Sequence, residues 1–313
     1  MSLKDLYKQN INIMEHFRQT QNLNKNSLNA ILASYDLQAG SYIRHYEANN
    51  QSNNYHINGK QTTLFTKDFF EKFCSYLASE IDAFKYSNIL EAGVGEATKL
   101  NLIMDKLKNK NAKFYAFDLA PSRIMQAKKF CKKHNKNCEL FVANLLQTPF
   151  MDNCFDITYT IHALEPNTNE AKNIIKELLR ITKKYLILVE PSYELGNDET
   201  KANIIKHKYI TNLKNTAQNL LKNSKEILGG GGKIIKYELC PISNFLNQSA
   251  IMIIEKTEQI ASNPYFACPI CHEKLSLHNG NYFCKECLLV YPIIKNIPCL
   301  TKESSILFSQ YMD

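Results

Sequence analysis

Between Tyr86 and Glu190, short apolar runs alternate with segments of helical periodicity. Strand-like runs fall at 88–91, 113–118, 140–143, 155–160 and 185–190. Helical segments fall at 98–108, at 121–134 with Pro121 at its start, and at 169–182. Parallel strands need a crossover between them, and a helix supplies it. The repeated β-α-β order therefore predicts an α/β fold with a doubly wound sheet. After Pro191 a charged helical region runs to Leu228, and four glycines follow at 229–232. The glycine run lacks the Gly-Lys-Ser/Thr ending of a phosphate loop, so it reads as a helix end and turn. Apolar runs at 233–239 and 250–255 read as an antiparallel, hairpin-like pair, which brings the expected strand count to seven.

The chain has 313 residues, 44% hydrophobic and 22% charged, enough for about two domains with a sizeable core. That composition excludes a disordered chain. The excess of Lys and Arg (38) over Asp and Glu (30) gives +8, spread along the chain without a basic block. Such a balance is weak support for nucleic acid as a partner. No apolar run reaches the roughly 20 residues of a membrane span. The opening Met1-Ser-Leu-Lys-Asp-Leu-Tyr-Lys has no signal-peptide core. These features point to the cytoplasm, where ten cysteines are not expected to form a disulfide framework. The oligomeric state is left open.

Three regions are expected. Residues 1–85 read as a largely helical capping region. Apolar residues recur at helical intervals from Asp5 to Ile31, a polar loop covers 49–62, and Thr66 caps a helix over 67–84. Residues 86–257 hold the sheet, and 264–313 hold a cysteine-rich module beyond a linker at 256–264.

The stretch Glu91-Ala-Gly93-Val-Gly95-Glu-Ala97-Thr98 follows one predicted strand and opens a helix. Glycines there let a ligand approach the backbone. Asp118 ends the next strand, where a carboxylate accepts from ribose hydroxyls. A dinucleotide site favours a third glycine, and a carboxylate beside its pyrophosphate costs repulsion. Here Thr98 replaces that glycine, and Glu96 stands where the anion would approach. Glu91 suits a ligand bearing an ammonium, which describes S-adenosylmethionine.

On these residues the stretch 88–191 resembles a class I S-adenosylmethionine-dependent methyltransferase of the type 11 kind. The resemblance implies that Glu91, Gly93 and Gly95 line the methionine part of the cofactor, with Ala97 departing from a common glycine. It implies that Asp118 holds the ribose and that Asn144-Leu145 contact adenine, Asn144 replacing the commoner Asp. The segment Ile161-His162-Ala-Leu-Glu165-Pro166 then falls at the catalytic edge. His162, Glu165 and Glu190 are the candidate catalytic residues. His162 is the leading base on its intrinsic pKa.

Cys268-Pro-Ile-Cys271, twelve residues and Cys284-Lys-Glu-Cys287 form a metal signature. Four thiolates fill the shell of a tetrahedral, structural Zn2+. Its binding would stabilise a module too small for a core of its own. Cys299 reads as a core residue. With Tyr291-Pro-Ile-Ile and Ile297-Pro298, the module resembles the zinc-binding activator subunit that partners methyltransferases of transfer RNA, ribosomal RNA and translation factors. Here it would be a fused zinc ribbon.

Asn-Pro-Pro-Tyr, the motif of many amino-group acceptors in bases and glutamine, is absent; Leu164-Glu165-Pro166-Asn167 stands there. The capping region, with Ser34 to Tyr42, Tyr46, Tyr55 and His56 as candidate pocket walls, favours a small polar acceptor. Together with Glu190-Pro-Ser-Tyr193, the chain resembles bacterial enzymes of cell-surface sugar assembly. That implies a sugar or amino-sugar precursor, methylated on nitrogen or oxygen. The alternatives are an RNA or translation-factor methyltransferase that uses the ribbon to bind its acceptor, and a non-catalytic cofactor-binding scaffold.

Overall fold

The computed structural model describes residues 2–168, 170–222, 231–257, 260, 262–263 and 265–312. The expected helix start at Asn169, the end of the helical region at Leu228, the first two glycines of 229–232 and part of the linker 256–264 lie outside them.

Ten strands matter for the site: β1 (Gln51–Ile57), β2 (Lys60–Phe65), β3 (Asn88–Ala92), β4 (Lys113–Asp118), β5 (Glu139–Val142), β6 (Phe155–Ile161), β7 (Thr182–Pro191), β8 (Gly232–Leu239), β9 (Ile242–Asn244) and β10 (Ser249–Lys256). Seven of them form one sheet in the order β5-β4-β3-β6-β7-β10-β8. Strands β3 to β7 run parallel. Strand β10 is antiparallel to both β7 and β8, as the hairpin reading expected.

Alternation along the strands divides the core. Ile187 and Val189 of β7 face one cluster; Leu186 and Leu188 face the other. The first cluster takes in helices Thr66–Ile81, Thr98–Lys106 and Pro121–Lys133. The second takes in Ala171–Ile181 and Leu213–Lys222. A sheet buried on both faces needs apolar residues at successive positions, and β10 shows this in Ala250-Ile-Met-Ile-Ile254.

Two expectations for the amino-terminal region are corrected. Residues 49–62 are a hairpin of β1 and β2, to which β9 adds a third strand. Asn58-Gly59 turns it, both with positive φ (47° and 84°), as a tight two-residue hairpin turn requires. Thr66 is the first residue of its helix and not the cap; its hydroxyl donates to the Asn50 carbonyl at 3.0 Å. Phe69, Phe70, Phe73, Leu77 and Ile81 pack that helix onto the sheet. The cap proper consists of helices Leu3–Lys8, Ile13–Thr20, Leu28–Leu37 and Ser41–Ala48. Ser2, Asn12 and Ser27 cap the first three through side-chain oxygens.

Candidate active site

Chain order reverses between β3 and β6, and the carboxyl ends of β3 to β6 open there into a cavity of about 700 Å³. Doubly wound sheets bind ligands at such a reversal. Glu91, Gly93, Gly95, Asp118, Asn144 and Leu145 all line it. The amides of Gly93 and Val94 donate to the Phe117 carbonyl at 2.9 and 2.8 Å, fixing the loop to the end of β4. One Asp118 oxygen accepts from Gly95 N and the other from Ala120 N, both at 2.9 Å. Each oxygen keeps a lone pair for a ligand hydroxyl.

Glu91 is buried and accepts from the Tyr159 hydroxyl at 2.7 Å. Burial pushes its carboxyl up to about 7. Asn144 Oδ1 accepts from Leu146 N at 3.0 Å, which leaves its amide hydrogens for a ligand. Gly93 is required by packing as well as by approach. Its φ is +82°, and a Cβ there would lie 2.3 Å from that of Ala163. Ala97 takes a left-handed φ of +60°, the conformation that the common glycine would adopt without strain.

Glu96 does not face the cavity as a free anion. Its two oxygens accept from Gly40 N at 2.8 Å and Ile43 N at 2.9 Å. It caps helix Ser41–Ala48, whose own N-cap residue, Gly40, has no side chain to do so. In the other direction Asp36 accepts from the amide and hydroxyl of Ser122, at 2.8 and 2.9 Å, in the first turn of Pro121–Lys133. The lid and the two loops thus cap each other's helices.

Of the lid residues singled out in the sequence, Ser34, Tyr35, Gln38 and Tyr42 line the cavity. Tyr46 packs on Phe70 and Phe130, and Tyr55 stacks on Phe69. His56 lies in β1. These three are not pocket walls.

His162 and Glu165 line the cavity and Glu190 does not. Glu190 is clamped beneath the loop after β6. It accepts from the Thr160 hydroxyl at 2.8 Å and from the amides of Ala163 and Leu164 at 3.1 and 3.2 Å. It shapes the edge and is not among the residues that line the cavity. His162 Nε2 lies 2.6 Å from Ser249 Oγ. Burial, then the nearby Lys99 charge, lowers its pKa to about 3, so it is a neutral ring and a weak base. Glu165 is different. Its Oε2 is buried with no hydrogen-bond partner among the described residues. Burial and the Glu190 charge raise its pKa well above the usual carboxylate range.

The sulfurs of Cys268, Cys271, Cys284 and Cys287 lie within 4.8 Å of one another. Cys268–Cys287 is 3.9 Å and Cys271–Cys284 is 3.5 Å. A tetrahedral zinc with bonds of about 2.3 Å places its sulfurs about 3.8 Å apart, so the donor set fits that ion. Four short strands surround the cluster. Phe266 packs on Phe141 and Phe150, and Leu300 N donates to the Val142 carbonyl at 2.8 Å, docking the module on β5. Cys299 is buried beside Val142, as expected of a core residue. No described residue beyond Asn247 lines the cavity.

Residues 89–185 match the family model described as a methyltransferase domain. No curated protein matches the chain. Among solved structures it is similar to the magnesium protoporphyrin IX methyltransferase of Synechocystis PCC 6803 with bound SAH. Identity is 13%, covering 71% of this chain and 98% of that one, with a TM-score of 0.49. It is also similar to an N-methyltransferase of Bradyrhizobium japonicum WM9 in complex with S-adenosyl-L-homocysteine. There identity is 13%, covering 60% and 87%, with a TM-score of 0.45. The family match, together with the strand order and the glycine loop, identifies residues 89–185 as a class I S-adenosylmethionine-dependent methyltransferase domain, and the chain that carries it as an enzyme.

Proposed function

We propose that the enzyme transfers the methyl group of S-adenosylmethionine to a small polar acceptor, with sugar or amino-sugar precursors of cell-surface glycans as the leading class. The observation that carries the small-acceptor reading is the roof. Helices of the first 48 residues close over the same cavity that the glycine loop and Asp118 line, and no described residue of the cysteine module lines it.

The residues present fit the cofactor. Glu91 would pair with its ammonium, Asp118 would accept from its ribose hydroxyls, and Asn144 and Leu145 would meet the adenine. When bound, S-adenosylmethionine supplies a methyl group made electrophilic by its sulfonium. The protein's part is to orient the acceptor and exclude water. Glu165, with its raised pKa and an Oε2 that has no hydrogen-bond partner among the described residues, would take the acceptor's proton, since a carboxylate held above its usual range is the stronger base. Neutral His162 would hold Ser249 and the edge of the loop. The four cysteines would carry one structural Zn2+.

The test is methyl transfer from labelled cofactor into a cell extract separated into small molecules, RNA and protein. Label in the small-molecule fraction is expected. Label confined to RNA or a translation factor would replace this reading with a macromolecular acceptor. Cofactor binding with no transfer to any fraction would favour a scaffold.

A further inference from the structure

Arg123 is the most deeply buried arginine at the cavity, 6% exposed, and it is among the residues lining it. Its guanidinium carbon lies 4.6 Å from the Tyr35 ring centre and 4.4 Å from that of Tyr42. Two aromatic faces hold the fork's plane while contributing no carboxylate. Its Nε and Nη2 are buried and have no hydrogen-bond partner among the described residues. No carboxylate among them lies within ion-pair distance. Beyond the Tyr42 hydroxyl, Asp118 is the acid whose charge acts on it, and both Asp118 oxygens are turned to backbone amides.

A buried guanidinium with two unused donors is costly unless something pairs with it. Its place runs against local electrostatics as well. It stands in the first turn of helix Pro121–Lys133, where the helix dipole disfavours a cation. The same dipole favours an anion bound there. A fork of this geometry matches a carboxylate or a phosphate in a two-point contact.

The cofactor's own carboxylate is the less suitable partner. It shares a carbon with the ammonium assigned to Glu91, and Lys99 is the cation whose charge acts on Glu91. Arg123 lies instead in the field of Asp118, the residue assigned to the ribose, where the cofactor is uncharged. Tyr35 links it to the acceptor side: its ring packs on Arg123 and its hydroxyl lies in the field of Glu165.

We propose, resting on the methyltransferase reading above, that the acceptor carries an anionic group, a carboxylate or a phosphate, which seats on Arg123 between Tyr35 and Tyr42. Glu165 then meets the end of the acceptor that is methylated. Among sugar-like acceptors this selects acidic or phosphorylated ones over neutral ones.

The test uses the full chain and two variants, Arg123→Gln and Arg123→Lys. Calorimetry measures S-adenosylhomocysteine and 5′-methylthioadenosine, which lacks the cofactor's carboxylate and ammonium. Methyl transfer into the small-molecule fraction is run with inorganic phosphate or acetate as competitor, and labelled product is passed over an anion exchanger. The expected result is product retained by the exchanger, and inhibition by phosphate or by acetate according to which group is seated. Arg123→Gln should keep S-adenosylhomocysteine affinity within about threefold while KM for the acceptor fraction rises about tenfold or more. Arg123→Lys should fall between, because it keeps charge and loses the fork. A neutral or cationic product would overturn the proposal. So would an Arg123→Gln chain that loses S-adenosylhomocysteine yet binds methylthioadenosine like the parent, since the anion would then be the cofactor's carboxylate. A parent chain that binds neither nucleoside would instead refute the methyltransferase reading, and this proposal with it.

Discussion

Replacing Glu96 with alanine should open the lid locally while the sheet stays intact. Glu96 lies in the glycine loop but serves helix Ser41–Ala48, accepting from Gly40 N and Ile43 N at 2.8 and 2.9 Å. A hydrogen bond to a charged acceptor contributes roughly 1.5–3 kcal/mol. An anion at a helix N-terminus adds about 0.3–1 kcal/mol. Against this stands the cost of burying the carboxylate, 2% exposed here, which the variant relieves. The net loss is about 2–4 kcal/mol. At about 1.4 kcal/mol per tenfold, the opening equilibrium of the lid helix should rise roughly 30- to 700-fold. Amide hydrogen exchange at Gly40 and Ile43 reads this directly. Core amides in β3 and β7 should not change. Glu96→Gln, which keeps one acceptor oxygen and sets an N–H against the other amide, should give an intermediate effect. Parent-like exchange at Gly40 and Ile43 in the alanine variant would refute the clamp.

Gly93→Ala should destabilise the fold by about 2–5 kcal/mol. Its left-handed φ costs roughly 1–2 kcal/mol for a side chain, and the 2.3 Å approach to Ala163 adds an overpacking cost of about 1–3 kcal/mol. Denaturant titration of the double variant with Ala163→Gly should recover the second part; no recovery would place the strain elsewhere. Cofactor affinity should rise with pH through about 7, as Glu91 ionises to meet the ammonium. The same raised pKa means Glu91 stabilises the unliganded fold most at low pH, and that contribution is lost from about 4.5 to about 7. In Glu91→Gln, calorimetry at pH 6 and pH 8 should find this pH dependence of binding gone. Metal analysis of protein purified under reducing conditions should find one zinc per chain. Cys271→Ser should lower both zinc content and melting temperature, because the module is anchored on β5 through Phe266 and Leu300.

The sheet and most of the cofactor wall were legible because both are local. A strand followed by Gly-x-Gly, a helix and an acid at the next strand's end specifies its own geometry; the four residues read from it, and Asn144 and Leu145 taken from the family resemblance, all line one cavity. The hairpin of β1 and β2 was hidden by its composition. It is too polar to show alternation, although Asn58-Gly59 was a turn signal that could have revealed it. For Glu190 and His162 the surroundings were not legible, because position at a sheet edge does not say which way a side chain points. One is held under a loop, and the other loses basicity to burial. The setting of Arg123 went unread because it depends on Tyr35 and Tyr42, far away in the chain. The available hint was a cation in a helix's first turn.

The central claim, that this cavity is an S-adenosylmethionine site, is tested most directly by calorimetric titration of the full chain with S-adenosylmethionine beside NAD. One mole of S-adenosylmethionine should bind per chain, with no heat from NAD. The carboxylate of Glu91 suits an ammonium, and no phosphate-binding third glycine follows Gly95. Binding of NAD, or of neither, would contradict the account.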